Sequence, residues 1–275
     1  MGLLRCLALL APTLAAAQGH DYSQYVNPFI GGEGYIPGLA YGGGDIFVGG
    51  ARPFGVVKAG IDTYETNISF STINGGWTPK GLVTGVSMMH ESGTGGSAKY
   101  GIISQMPLTN LDAPVNILDN STYWQERVGN DSASVGYFKT SLKNDVDIQI
   151  GGARHSAIFQ YDFPAGEKYI LADVSHFLPS ETGSNTDQYY AGGLITIEKG
   201  NKVYTGYGTY GGGEHPFASL GIRSNMEQAS LPVHRLRHTS AGSSKRRQLQ
   251  DTHSEAETPL QCRDNTPCLM SLFRI

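Results

Sequence analysis

Short runs of alternating apolar and polar residues fill the chain from about residue 22 to 213, and each is broken by Gly, Pro or Asn. Residues 146–150, 157–163 and 169–174 read as strands, because successive side chains of a strand point to opposite faces. Residues 193–198 and 202–207 flank Lys199-Gly200-Asn201, a tight-turn signal that predicts a β-hairpin. Few segments show the spacing and caps of a helix. The pattern predicts an all-β chain. A β-sandwich is the economical architecture, since each strand has one apolar face to bury.

Beyond Phe217 the texture changes. The segment 221–275 is rich in Arg, His, Ser and Gln, and the alternation stops. Lys245-Arg246-Arg247 opens a polar stretch that runs to about Glu257. So little apolar surface predicts a disordered tail. The tail reads as foreign to the original fold, with the basic run a processing site or a solvated stretch.

At the other end, Arg5 precedes an apolar run over 7–14, broken by Pro12 and followed by Ala15-Ala16-Ala17. This predicts a signal peptide, 1–17, cleaved after Ala17. The run is too short to cross a bilayer, which takes roughly 20 apolar residues. The expected organisation is leader 1–17, β-sandwich domain 18–220 and tail 221–275. Export makes Asn67, Asn120 and Asn130, each in an Asn-x-Ser/Thr tripeptide, candidate glycan acceptors on surface loops. Cys6 leaves with the leader. Cys262 and Cys268 suit a small loop closure, not a zinc site.

Composition narrows the function. In 275 residues only 16% are charged and the net charge is -4, so no basic field draws nucleic acid or an anionic membrane. The densest chemistry lies over 45–96. Trp77, in Asn74-Gly75-Gly76-Trp77-Thr78-Pro79, reads as an exposed turn tryptophan whose flat face suits a sugar ring; a core tryptophan is the equal alternative. His90 and Glu91 enter a glycine-rich loop and, being adjacent on an extended segment, face opposite ways. One is expected to face a ligand while the other supports the loop, with a structural His90 the default. Asp45 and Asp62 suit sugar hydroxyls or turn capping. Asp145 and Asp147 flank Val146 and are expected to face solvent. Gly93-Thr94-Gly95-Gly96-Ser97-Ala98 loosely matches a dinucleotide loop, but the extended sequence after it argues against the required helix.

Several ordered motifs resemble the N-terminal domain of glycoside hydrolase family 92. They are Val26-Asn27-Pro28-Phe29-Ile30-Gly31, Pro53-Phe54-Gly55-Val56-Val57 with Gly60-Ile61-Asp62-Thr63, and His90-Glu91-Ser92-Gly93-Thr94-Gly95. Tyr41-Gly42-Gly43-Gly44-Asp45, Gly75-Gly76-Trp77-Thr78-Pro79 and Lys99-Tyr100-Gly101-Ile102-Ile103 are most similar to the secreted fungal branch. The resemblance implies a galactose-mutarotase-like supersandwich that pairs with a C-terminal (α/α)6 barrel, the active site lying between them. It implies an exo-acting, calcium-dependent, inverting α-mannosidase that acts on mannose-containing glycans of glycoproteins. Asp62, Gly76, Trp77, His90 and Glu91 fall in the matching motifs and are the candidate substrate-binding residues. Trp77 lies near the position of a family tryptophan that contacts substrate.

In that family the catalytic carboxylates and most calcium ligands come from the barrel. Inverting hydrolysis needs two carboxyls roughly 6.5–9.5 Å apart. The tail holds too few apolar residues for helical hairpins. The expectation is a mannosidase domain truncated before its barrel and inactive alone, with Ca2+ expected for the full-length family and no site in this chain. The alternatives are a lectin-like module that binds mannose without cleaving it, and an interaction domain that self-associates through its exposed barrel-facing surface. Secretion is expected in each case. Peptide-N-glycanase activity has no residue in its favour.

Overall fold

A computed structural model of the chain describes residues 20–32, 44, 46–64, 75–93, 100–111, 119–178, 188–197, 203–211, 218–225, 233–235, 260–263 and 271–274. Residues 1–17, expected to be a leader, and Asp45, Asn67 and the hairpin turn at 199–201 lie outside these residues. Fifteen strands, numbered in chain order, form three antiparallel sheets among the described residues.

The first sheet runs β1 (Gly50–Ala51), β2 (Lys58–Tyr64), β3 (Leu82–Ser87), β4 (Ser104–Leu108), β9 (Tyr169–Asp173), β15 (Ser271–Arg274) and β13 (Val233–Arg235). A meander of β5 (Ser132–Ser134), β6 (Tyr137–Ser141), β7 (Asp147–Gly152) and β8 (Ala157–Asp162) forms the second. The third is ordered β12 (Ala218–Asn225), β11 (Val203–Gly211), β10 (Tyr189–Ile197) and β14 (Leu260–Arg263). Two short 3-10 turns, Tyr22–Tyr25 and Asn120–Tyr123, are the described helical segments.

The all-β sandwich read from the sequence is present. β7 and β8 fall on predicted runs, and β10 pairs with β11 from Tyr189↔Gly211 to Ile197↔Tyr204, as the hairpin signal required. The alternation expected of one-sided burial holds in β6 and β7. Phe138, Ile148 and Ile150 point inward, while Lys139 and Asp147 pair at 2.8 Å on the outer side. Asp145 is exposed, as expected.

The seven-stranded sheet departs from that rule. All five residues of β9 are buried. Tyr169 and Leu171 join the core shared with the meander, whereas Ile170 and Ala172 join a second core with Ile195, Tyr204 and Tyr210. The sheet is therefore the middle of three layers and is covered on both faces. Gln105 of β4 binds partners from both neighbouring sheets: it accepts from the Tyr161 hydroxyl of β8 and donates to Tyr204 of β11, each at 2.8 Å.

Within the segment 221–275, residues 221–225 complete β12, and β13, β14 and β15 are short strands; the rest of it lies outside the described residues. β15 pairs with β9, and β14 with β10. A free sheet edge presents unpaired N–H and C=O groups to any extended segment, so such strands form without an alternating pattern.

Candidate functional site

β2 carries a carboxylate into the interior. Asp62 is 0% exposed, and an unpartnered charge there would be very costly. Two histidines meet it. His90 Nε2 lies 2.6 Å from Asp62 Oδ1, and His176 Nε2 lies 2.9 Å from Oδ2. His90 follows β3, and its Nδ1–H donates to the Lys58 carbonyl at 2.8 Å. A carbonyl only accepts, so the contact of Nε2 with Asp62 contains a second hydrogen. Burial pushes the Asp62 carboxyl up, but the charge on His90 and the hydrogen bonds from His176 and His90 outweigh it and hold the group below the usual carboxylate range. Phe47 stacks on the imidazole at 5.1 Å between centroids.

For His176, burial works against the charged ring. The hydrogen bond and charge of Asp62, with Asp173 beyond, prevail and hold it above the usual imidazole range. Its Nδ1 is buried and has no hydrogen-bond partner among the described residues.

The main chain closes tightly over this group. Gly76 has φ +82°, and a Cβ there would stand 2.5 Å from His90 Cδ2 and 3.3 Å from Asp62 Oδ1. Gly101, at φ +59°, would place a Cβ 2.8 Å from the same oxygen. Only glycine satisfies both the left-handed backbone and the close approach.

Beside the pair opens a cleft of about 310 Å³. Lys58, His90, Glu91, Ser92 and Tyr100 supply its polar groups, and Val56 and Met89 its apolar ones. The His90 side chain is fully covered and forms the floor, whereas Glu91 is half-buried. Tyr100 forms the facing wall, with its backbone gripped by Gln188. The Tyr100 N–H donates to Gln188 Oε1 at 2.7 Å, and Gln188 Nε2 donates to the Tyr100 carbonyl at 2.8 Å.

Of the candidate residues, Asp62, Gly76 and His90 converge and Glu91 lies beside them. Of the two readings of Trp77, the structure has the core tryptophan and not the exposed turn tryptophan that would face a sugar. Trp77 is 6% exposed and belongs to the core. Phe29 packs against it at 5.1 Å, the Arg127 guanidinium lies 5.9 Å from its ring, and its Nε1–H donates to Asp131 Oδ2 at 2.6 Å. The acceptor lies 54 residues further on. A buried tryptophan needs such a partner, and local sequence does not reveal one. Asn120 and Asn130 are exposed. The sequence reading missed His176, Tyr100, Gln188 and Lys58. The available signals were a histidine just after the wholly buried β9 and the quoted motif that contains Tyr100.

The described residues do not fit a calcium ion. No group of three or more His, Cys, Asp or Glu among them is disposed to hold a metal. Calcium takes six to eight oxygen ligands, and both Asp62 oxygens already face imidazole nitrogens.

The sequence model described as the glycosyl hydrolase family 92 N-terminal domain matches residues 25–227. The chain belongs to glycosyl hydrolase family 92. A relative from Arthroderma benhamiae, described as an uncharacterized secreted glycosidase, is 32% identical over 168 residues, which are 58% of this chain and 20% of the relative. Among solved structures, a family GH92 α-mannosidase from Bacteroides thetaiotaomicron superposes with a TM-score of 0.66 at 19% identity, over 92% of this chain and 31% of the enzyme. The same enzyme in complex with mannoimidazole superposes equally well, over 30% of its length. At that identity the likeness is one of fold. This family 92 chain thus spans about a fifth of the curated relative's length and less than a third of the solved enzyme's. No described helix is long and apolar enough to cross a membrane.

Proposed function

We propose that this chain is the sugar-facing N-terminal domain of a secreted, inverting, calcium-dependent α-mannosidase acting on mannose-containing glycans of glycoproteins. The observation that carries the reading is the family match, because the matched residues include the whole Asp62–His90 cleft. The half-buried Glu91 and Tyr100 and the exposed Ser92 offer the cleft a carboxylate and two hydroxyls, the groups that bind sugar hydroxyls well. Glu91 takes the ligand-facing role of the adjacent pair, while His90 supports the loop. The fold likeness to an α-mannosidase and the description of the Arthroderma relative as secreted favour the substrate class and the location.

Alone, this domain is expected to bind and not to cleave. Inverting hydrolysis needs opposed carboxyls roughly 6.5–9.5 Å apart with a water between them. Among the described residues the cleft is lined by one carboxylate, Glu91, while Asp62 is committed to two histidines. The reading assigns the acid, the base and most calcium ligands to a helical barrel, as the family resemblance implies.

The test is the purified chain with α-mannobiose and calcium, followed for released mannose, beside calorimetric titration with methyl α-mannoside. Weak binding without release is the expected result. Turnover that a chelator abolishes would overturn the non-cleaving assignment. Absence of binding to any mannoside would overturn the sugar-wall reading itself.

A further inference from the structure

We propose that Asp62 is a positioning residue that sets both walls of the cleft, one through each carboxylate oxygen. The inference rests on the sugar-cleft reading above, and its first test needs no sugar. Asp62 is wholly buried, so its reach to the cleft runs through the groups its two oxygens hold. Its Oδ1 holds His90 at 2.6 Å, and the next two residues, Glu91 and Ser92, form one wall. Its Oδ2 holds His176 at 2.9 Å. Two residues on, the Leu178 N–H donates to the Tyr100 carbonyl at 3.0 Å, and Tyr100 is the other wall.

The second wall has reason to need such support. Tyr100 and Ile103 sit at φ +63° and +56°, a left-handed backbone that side-chain-bearing residues adopt only when their surroundings impose it. The Ile103 N–H donates to the His176 carbonyl at 3.3 Å, so the His176 segment contacts the strained stretch near both ends. The two walls are also joined directly: the Gly101 N–H donates to the Met89 carbonyl at 2.7 Å, and His90 bridges Tyr100. One carboxylate thus ties three chain segments that are distant in sequence, and its two oxygens divide the cleft between them.

Asp62→Asn keeps the volume but loses one of the two acceptors, because its amide nitrogen must face one of the imidazoles. In the isotope-labelled full chain, this variant should still unfold cooperatively while the backbone amide signals of both Glu91 and Tyr100 shift. His176→Gln, the second variant, should move Tyr100 more than Glu91. Affinity for methyl α-mannoside should fall at least about tenfold in Asp62→Asn, equivalent to about 1.4 kcal/mol. Unmoved Glu91 and Tyr100 amides in both variants, or wild-type affinity in Asp62→Asn, would overturn the proposal. If even the wild-type chain binds no mannoside, the sugar reading fails, and the amide shifts alone decide the positioning role.

Discussion

Trp77 donates its indole N–H to Asp131 at 2.6 Å, and the same Asp131 oxygen forms a buried ion pair with Arg127. Arg127 in turn donates to the carbonyls of Thr78 and Gly81, so one carboxylate anchors the turn that follows Trp77. Asp131→Ala would strand both donors. Breaking a buried charged pair from one side costs about 3–5 kcal/mol, and the urea midpoint should fall accordingly. Trp77→Phe, which loses only the N–H donation and part of the packing, should cost about 1–2 kcal/mol. Equal midpoints for the two variants would show that Asp131 is not the anchor.

Gly76→Ala is expected to destabilise by about 2–3 kcal/mol, through the left-handed backbone and the contact forced on His90. Gly129, also at a positive φ, has nothing within 4 Å of an added Cβ. Gly129→Ala therefore bears only the backbone penalty of about 1 kcal/mol. Comparing the two by chemical unfolding separates the close approach from the dihedral.

The two histidine contacts make stability depend on pH at both ends. His176 has a folded value raised above 6.5, so its contribution is complete below 6.5 and is lost as pH rises through the folded value. Asp62 is lowered from 3.8, so its contribution is complete above 3.8 and is lost as pH falls through the folded value. Unfolding midpoints followed from about pH 6 to about pH 9 should decline, and His176→Gln should flatten that decline. An unchanged slope in the variant would remove His176 as its source.

Asn120 and Asn130 stand exposed in accessible turns, so each should carry a glycan when the chain passes through a secretory pathway. Asn120→Gln and Asn130→Gln should each abolish one endoglycosidase-sensitive mobility step. Asn130→Gln should leave stability unchanged, because its neighbour Asp131 keeps its contacts. A single unshifted band from wild-type secreted protein would rule out both acceptors.

Much of the candidate site was legible. Asp62, Gly76 and His90 lie in three separate glycine-punctuated motifs, and the fold brings them together. Their roles were less so. Asp62 read as a partner for sugar hydroxyls or a turn cap and His90 as structural by default; the two satisfy each other in the interior, and the half-buried Glu91 lines the cleft. Tyr100 stood in a motif of the family resemblance without a role, and Gln188 gave no signal, because an amide that clamps a backbone 88 residues away leaves no local pattern.

Alternation along the chain, with Gly and Asn at the turns, was enough to determine strands, a hairpin and a sandwich, since these depend on neighbours within a few residues. Which strands would be buried on both faces, and which acceptor Trp77 or Asp62 would find, was decided only when sheets packed across long sequence separations. Burial strips water from a polar group and obliges it to find a protein partner. That partner is chosen by which layers meet in space, and no short stretch of sequence encodes the meeting.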